Sequence, residues 1–419
     1  MFLLNACNKK SFDYDLYEAS VSDIDSIGLS TGAYSLIADG NAKLNFFVDA
    51  YRSVKFKGDD HNVMTLINPK SLPEGVISVV DENMSDVGMN FSTTDMGTGT
   101  KSFTAKIGNL SSIAHDVTLR PQPAQYQKLY VDVIFHICEL SPNDADYDPV
   151  SYKKVDPAKL QGALDELNRI FNNQFGDGPN GGSTNIEFRL ATHKGSTPLD
   201  IPGYHKVVYD NSWIGPPAYS WYPPRTYYYV SDFYDKFDSA PSTYIWDPTQ
   251  YLNVFVLPVG SNTALPSSSP KYQIVPEGQV AMPGMGTKIT SKEVADIQIT
   301  SKFCGVATGR TVWFRGEEST RIEIAGFIGR SYGVRETSYG QTINDDYCTD
   351  TRRYQKITGN ADNYYKLIKT DQFGNKFKAN NVMDDLQSPS LRNTFTVDQV
   401  KRIRYAIENC PGKMHGKTE

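Results

Sequence analysis

The sequence predicts an α/β domain preceded by an all-β sandwich of the Ig-like kind, and three observations carry that prediction. Residues 20–123 contain short alternating runs separated by turn residues about every 8–12 positions, the rhythm of a small sandwich. Beyond 124, strongly apolar runs flank a stretch with helical spacing, as in a strand–helix–strand unit. At 419 residues the chain is long enough for two domains that each bury a core.

Residues 1–19 read as a truncated lipoprotein leader and tether. "LNAC", Leu4 to Cys7, is similar to a bacterial lipobox, in which the cysteine is lipidated and becomes the mature N-terminus. Only "MFLL" stands where a basic region and an apolar core of about 7–15 residues belong. The sandwich then follows in "AKLNFFVDAYR", "GVISVVDE", "VGMNFST", "SFTAKIGN" and "AHDVTLRP". "RPQPAQ", Arg120 to Gln125, has the composition of a linker and marks the boundary.

The second domain, 124–419, opens with the apolar strand "KLYVDVIFHI". In "DPAKLQGALDELNRIFNNQFG", Asp156 can cap a helix, Pro157 suits its first position, and Leu160, Leu164, Leu167 and Phe171 recur on one face before Gly176. "TNIEFRLA" and "YLNVFVLPVG" supply further strands. Between them lies the aromatic stretch "YSWYPPRTYYYVSDFYDKF", Tyr219 to Phe237, read chiefly as core and alternatively as a loop that stacks sugars or peptide side chains.

Composition excludes several functions. A net charge of -6 with 21% charged residues gives no electrostatic reason to bind nucleic acid. No run of about 18 apolar residues exists to span a bilayer, so membrane contact is expected only through the N-terminal lipid. Setting Cys7 aside for lipid leaves Cys138, Cys304, Cys348 and Cys410, enough for two disulfides in an exported protein, with no C-x-x-C pair to suggest zinc.

The chemistry turns on "RIEIAGFIGRSYGV", Arg321 to Val334. A zinc peptidase helix carries histidines at i and i+4, which converge on one ion, and a glutamate that serves as general base to the bound water. A glycine then bends the chain toward a third histidine, and a methionine turn floors the site. On that template Ile322, Gly326 and Tyr332 occupy the ligand positions, Glu323 the base position and Gly329 the bend. "GRSYG" also matches G-x-S-x-G, but "VRETSYGQTINDD" lacks the apolar helix that a nucleophile turn needs, so Ser331 reads as incidental.

From about Tyr126 to Cys410 the chain resembles the pappalysin-like metzincins, zinc metallopeptidase lipoproteins of Gram-negative anaerobes. The resemblance rests on the strand and helix segments quoted above, on "WDPTQYLNVFVLPVG", on "NDDYCTDT" after the zinc segment, and on "NNVMDD" before "FTVDQVKRIRYAI". It implies a metzincin-like fold, with Met383 as the methionine-turn residue. It also implies a zinc site that cannot form, since isoleucine and glycine cannot ligate and a lone tyrosine is a poor ligand. No zinc is expected. The acidic loop Asp345, Asp346 and Asp350 can bind calcium through hard oxygen ligands or cap backbone amides, and both readings stay open.

The leading expectation is therefore a lipid-anchored, extracytoplasmic protein of the outer membrane or cell surface. It would be a peptidase homologue without catalysis that binds a peptide, protein or glycan. The alternatives are an active metalloendopeptidase with an atypical metal site assembled from scattered histidines, and a surface adhesive protein that uses the sandwich while the second domain acts as spacer. His136, on an apolar strand, reads as a satisfied core residue.

Overall fold

The computed structural model describes residues 19–55, 60–68, 71–150, 152–176, 178–217, 220–226, 228–258, 306–309, 324–340, 346–356, 361–409 and 416–418. Two antiparallel-dominated sheets form the N-terminal part. One contains β1 (Ser26–Thr31), β3 (Leu44–Val54) and β4 (Val63–Ile67) in spatial order, with β6 (Asn90–Phe91) also paired to β3. The other runs β2 (Ser35–Ile37), β9 (His115–Arg120), β7 (Thr100–Ile107) and β5 (Ile77–Asp81), with β8 (Leu110–Ser111) beside β7.

The alternation seen in β3 is real burial. Leu44, Phe46, Val48 and Ala50 point inward while Asn45, Phe47, Asp49 and Tyr51 are only half-buried, the period-two pattern of a sheet with one covered face. Leu44, Phe46 and Val48 meet Val79, Phe103, Ala105, Val117 and Leu119 of the opposite sheet in one core, and Ala50 packs with Ile24, Ile67 and Ile107 in another. Each fully buried aliphatic side chain stabilises by about 1.5–3 kcal/mol relative to exposure.

The second part is organised by β10 (Leu129–Leu140), whose burial is nearly continuous. That continuity follows from its pairing. Along one edge it pairs in parallel first with β11 (Ile186–Leu190) and then with β14 (Tyr204–Tyr209); along the other it pairs with β15 (Tyr251–Leu257). β15 in turn pairs in parallel with β16 (Val306–Gly309). A strand covered on both faces and paired on both edges has no solvent side, so its sequence shows an apolar run and no alternation.

Between β10 and β11 lies α1 (Ala158–Phe171). Asp156 Oδ1 accepts the Ala158 amide at 2.9 Å and caps it. Leu160, Ala163, Leu164, Leu167, Ile170 and Phe171 form the face against the sheet. The helix stops at Phe171, short of Gly176, because Asn172 turns its side-chain amide onto the Asn168 and Ile186 carbonyls at 3.0 and 2.8 Å.

The hairpin β12 (His193–Lys194) and β13 (Thr197–Pro198), together with α2 (Val230–Ser239) and α3 (Pro241–Tyr244), fills out the sheet side. After β16 come α4 (Ala325–Ser331), the short pair β17 (Ser338–Tyr339) and β18 (Tyr354–Gln355), α5 (Ala361–Tyr365), the hairpin β19 (Ile368–Thr370) and β20 (Lys376–Lys378), and finally α6 (Val397–Asn409). Ile324, Ala325, Phe327 and Ile328 of the α4 segment join Met383, Phe395, Val400 and Ile403 in the core that α1 and the sheet share.

Candidate functional site

The segment that suggested a zinc helix is helical over Ala325–Ser331 and buried along nearly its whole length. Ile322 and Glu323, the first-ligand and base positions, lie outside the described residues, as do Asp345, Cys7, Cys304, Cys410 and His415. Gly326, Gly329, Ser331 and Tyr332 are all described. Ser331 is the last residue of α4, fully buried, with its hydroxyl donating to the Ile328 carbonyl at 2.7 Å. A side chain that follows its helix and satisfies its own backbone cannot act as the exposed nucleophile of a strand-to-helix turn.

Beneath α4 sits a turn built by its own polar side chains. Asn381 Oδ1 accepts the Met383 amide at 2.9 Å, and Asp384 Oδ2 accepts the Asn381 amide at 3.1 Å. Gln399 on α6 holds Asn381 by a reciprocal pair of side-chain bonds at 2.9 and 3.1 Å. Thr337 and Ser390 each donate to Asp384 at 2.6 Å. These bonds give the physical content of "NVMD": the asparagine and aspartate fold the backbone back on itself, and Met383 is thrust under the helix. An added Cβ at Gly329 would lie 2.8 Å from the Phe395 ring and 3.3 Å from Met383 Sδ. Glycine is therefore required at 329 for close approach, since its φ is not in the left-handed region.

Gly326 has a different neighbour, one that the sequence did not flag. An added Cβ there would lie 2.7 Å from Arg392 Nη2 and 3.2 Å from the Val382 carbonyl oxygen. The Arg392 guanidinium, on a residue only 8% exposed, thus lies where a side chain from position 326 would emerge. It is fixed there by a hydrogen bond from Nη1 to the Asp384 carbonyl, and the backbone of Arg392 takes φ 48° to reach it. A non-glycine residue in that region costs of order 1–2 kcal/mol, so the surrounding contacts must hold it. Tyr332, 1% exposed, ends the helix inside the core, where burial raises its phenol above the ordinary range.

Zinc does not fit this constellation. At position 326 there is neither a ligand nor room for one, and a permanent cation occupies the space.

The acidic residues have protein partners. Asp346 accepts from the Thr351 hydroxyl and from the Cys348 amide at 3.3 Å. Asp350 accepts the Asp398 amide at 3.0 Å and faces Arg120 Nη1 at 3.2 Å, with Asp398 Oδ1 on the same nitrogen at 3.0 Å. Burial, and then the Asp398 carboxylate, push the Asp350 carboxyl up to about 6. Amide capping is the chemistry these contacts display. Among the described residues no group of three or more His, Cys, Asp or Glu side chains is placed to hold a metal ion.

Two of the scattered histidines do meet. His136 Nδ1 lies 2.7 Å from His205 Nδ1, and His136 Nε2 lies 2.8 Å from Asn253 Oδ1. The Asn253 amide nitrogen donates to the Trp246 carbonyl, which leaves Oδ1 as acceptor and makes His136 Nε2 the donor. His136 Nδ1 must then accept from His205. Burial, with Lys194 nearby, lowers His205 to about 4, so both rings are neutral at physiological pH. The pair is invisible in the sequence because β10 and β14 bring His136 and His205 into register only in the folded sheet. Cys138 and Cys348 are not in disulfides.

No protein-family model matches the chain, and no curated protein matches it. Solved structures do. Mature mirolysin of Tannerella forsythia in complex with a cleaved peptide superposes with a TM-score of 0.41 at 15% identity, covering 70% of this chain and 96% of that one. A Tannerella forsythia promirolysin mutant gives 0.43 at 16% identity, with 70% and 85% covered. Mirolysin with a bound compound gives 0.41 at 14%, with 69% and 96% covered. Mirolysin is a metzincin-like metallopeptidase, and the relationship to it is distant.

Proposed function

We propose that the chain is a metallopeptidase-like protein that neither binds catalytic zinc nor hydrolyses peptides, and that it serves as an extracytoplasmic binder of a peptide, protein or glycan. The observation that carries this reading is the contact between Gly326 and the Arg392 guanidinium. An enzyme of this type needs a cation held by imidazoles so that bound water loses a proton near neutral pH. Here a guanidinium that cannot lose its proton lies where a side chain from position 326 would emerge and donates to a backbone carbonyl. Glu323, without a metal-bound water, would have nothing to deprotonate. Lipid attachment at Cys7 and calcium binding by Asp345, Asp346 and Asp350 remain expectations of the sequence within this proposal.

The test is zinc per chain by elemental analysis, on protein purified without chelator and dialysed against trace zinc. Occupancy near zero, with no chelator-sensitive proteolysis, is the expected result. Close to one zinc per chain would overturn the reading in favour of an active peptidase with an atypical metal site.

A further inference from the structure

The aromatic stretch from 219 to 237 separates into two populations. Phe233, Tyr234 and Phe237 on α2 are buried with Trp213, Val207 and Phe255. Trp221 and Tyr222 are 76% and 53% exposed, with ring centroids 6.2 Å apart and planes at 51°. The prediction of core packing therefore holds for Phe233, Tyr234 and Phe237, with Tyr228 half-buried against them, whereas Trp221 and Tyr222 are exposed; Tyr219 and Tyr227 lie outside the described residues.

The base of that loop is a built joint. Arg225 donates from Nη1 and Nη2 to Asp232 at 3.0 and 2.7 Å, and from Nε to the Gly215 and Pro216 carbonyls, each at 3.0 Å. Its guanidinium also stacks 4.4 Å from the Tyr229 ring centroid. Asp232 meanwhile accepts the Tyr229 amide at 2.8 Å at the start of α2. Gly215 is needed for this closure, because an added Cβ would stand 2.6 Å from Asp232 Oδ1 and 2.7 Å from Arg225 Nη2. Pro216, Pro217, Pro223 and Pro224 restrict the arms of the loop. Chain entropy is thus lost on folding and not on binding, which is how preorganised sites gain affinity. The joint consumes its own charges, and residues 220–224 at the exposed end, Ser-Trp-Tyr-Pro-Pro, carry none.

We propose that Trp221 and Tyr222 form a binding platform for neutral glycans, stacking their exposed rings on the C–H faces of sugar rings. It narrows the ligand of the binder reading to a glycan and rests on that reading, but on a surface separate from the helix-and-turn site, so zinc content and polysaccharide retardation can fail separately. Three features select this ligand. A flat aromatic face with a polar edge matches a pyranose, which is apolar on its faces and hydroxylated around its rim. The two exposed rings, centroids 6.2 Å apart with planes at 51°, set two aromatic faces side by side. Around the loop base, Asp144, Asp146, Asp210 and Asp232 are close enough to act on Tyr228, an acidic setting that disfavours an anionic lipid surface.

The experiment is affinity electrophoresis of the full chain through gels containing, in turn, β-1,3-glucan, mannan, xyloglucan, galactomannan and glycogen, with Trp221→Ala, Tyr222→Ala and Trp221→Phe beside the parent. Circular dichroism checks the fold, which exposed tip substitutions should leave intact. The expected result is retardation by at least one polysaccharide, weakened about tenfold or more by Trp221→Ala and largely restored by Trp221→Phe. Absence of retardation of the parent by all five, or retardation indifferent to both alanine variants, overturns the proposal. So does Trp221-dependent flotation with phosphatidylcholine vesicles in a chain that no polysaccharide retards, since that assigns the tip to a lipid surface.

Discussion

Replacing Gly326 by alanine probes the space that the Arg392 guanidinium fills beside α4 with a single methyl group. In an ordinary helix the change stabilises by about 0.8–1.0 kcal/mol, through backbone entropy alone. Here the new Cβ would lie 2.7 Å from Arg392 Nη2, so the guanidinium must move or the helix must shift. Overpacking of that kind costs about 1–3 kcal/mol. Taking ~2 for the overlap and ~1 for the propensity gain, Gly326→Ala should destabilise the parent by about 1 kcal/mol. In an Arg392→Ala background the principal overlap is gone, and the same substitution should stabilise by up to about 1 kcal/mol, less whatever the 3.2 Å approach to the Val382 carbonyl still costs. The double-mutant cycle thus predicts a coupling of about 2 kcal/mol, well beyond the ~0.3–0.5 kcal/mol scatter of independent sites. Urea unfolding of the four proteins, compared at constant m, measures it. Equal effects of Gly326→Ala in the two backgrounds would refute the claim that Arg392 fills the space facing Gly326.

Two further predictions concern the charges that join the two halves. Asp350 has a folded-state pKa of about 6, raised above its unfolded value of 3.8. Its contribution to stability is therefore fully present below 3.8 and is lost as pH rises through 6; that of Asp398, shifted down, is present above 3.8 and is lost only as pH falls below it, outside this window. The parent should lose stability relative to Asp350→Asn between pH 5 and 7, by on the order of 1–2 kcal/mol. Thermal melts of both proteins at the two pH values check this, and parallel pH profiles would contradict it. Arg120→Ala leaves the Asp350 and Asp398 carboxylates facing each other without their shared guanidinium. Breaking a buried pair costs about 3–5 kcal/mol, and the 22% exposure of the Arg120 side chain places this one at the low end. A loss under 1 kcal/mol in denaturant unfolding would count against the clamp.

What could be read from the sequence was what local patterning encodes. The alternation in β3, the apolar run of β10, the capped face of α1 and the glycine at 329 each follow from periodicity or from a residue with few conformational uses. The turn from Asn381 to Asp384 was legible because Asn381, Met383 and Asp384 act on one another within four residues. Arg392 was not, because nothing near "SLRNT" distinguishes it; its role arises from a left-handed backbone and a neighbour 66 positions earlier. The His136–His205 pair was missed for the same reason, and the aromatic stretch was misjudged as one unit because composition cannot tell which rings an arginine clamp will turn outward.

The position of the strand layers relative to α4 and its turn bears on the reading that makes the second domain a mere spacer. Arg352 donates to Asp371 and to the Thr31 carbonyl and lies 3.6 Å from the Tyr34 ring centroid, while Tyr34 itself donates to Asp371 at 2.7 Å. Lys376 reaches Asp49 at 2.6 Å, the Ile37 amide bonds the Pro179 carbonyl at 2.9 Å, and Val397 at the start of α6 packs into the core of the strand layers. A spacer joined by a flexible linker would show few crossings and exposed polar ones. These crossings are mostly buried, and Arg352 and Asp371 are among the least exposed charges they involve. Cutting the chain near residue 123 would therefore remove these partners of Thr31, Tyr34 and Asp49 and open an apolar face around Val397. Ligand loss on truncation would then report unfolding of the fragment as readily as loss of a site. Point substitutions decide between a cleft and a sandwich binder, because they remove one surface while leaving the interface whole.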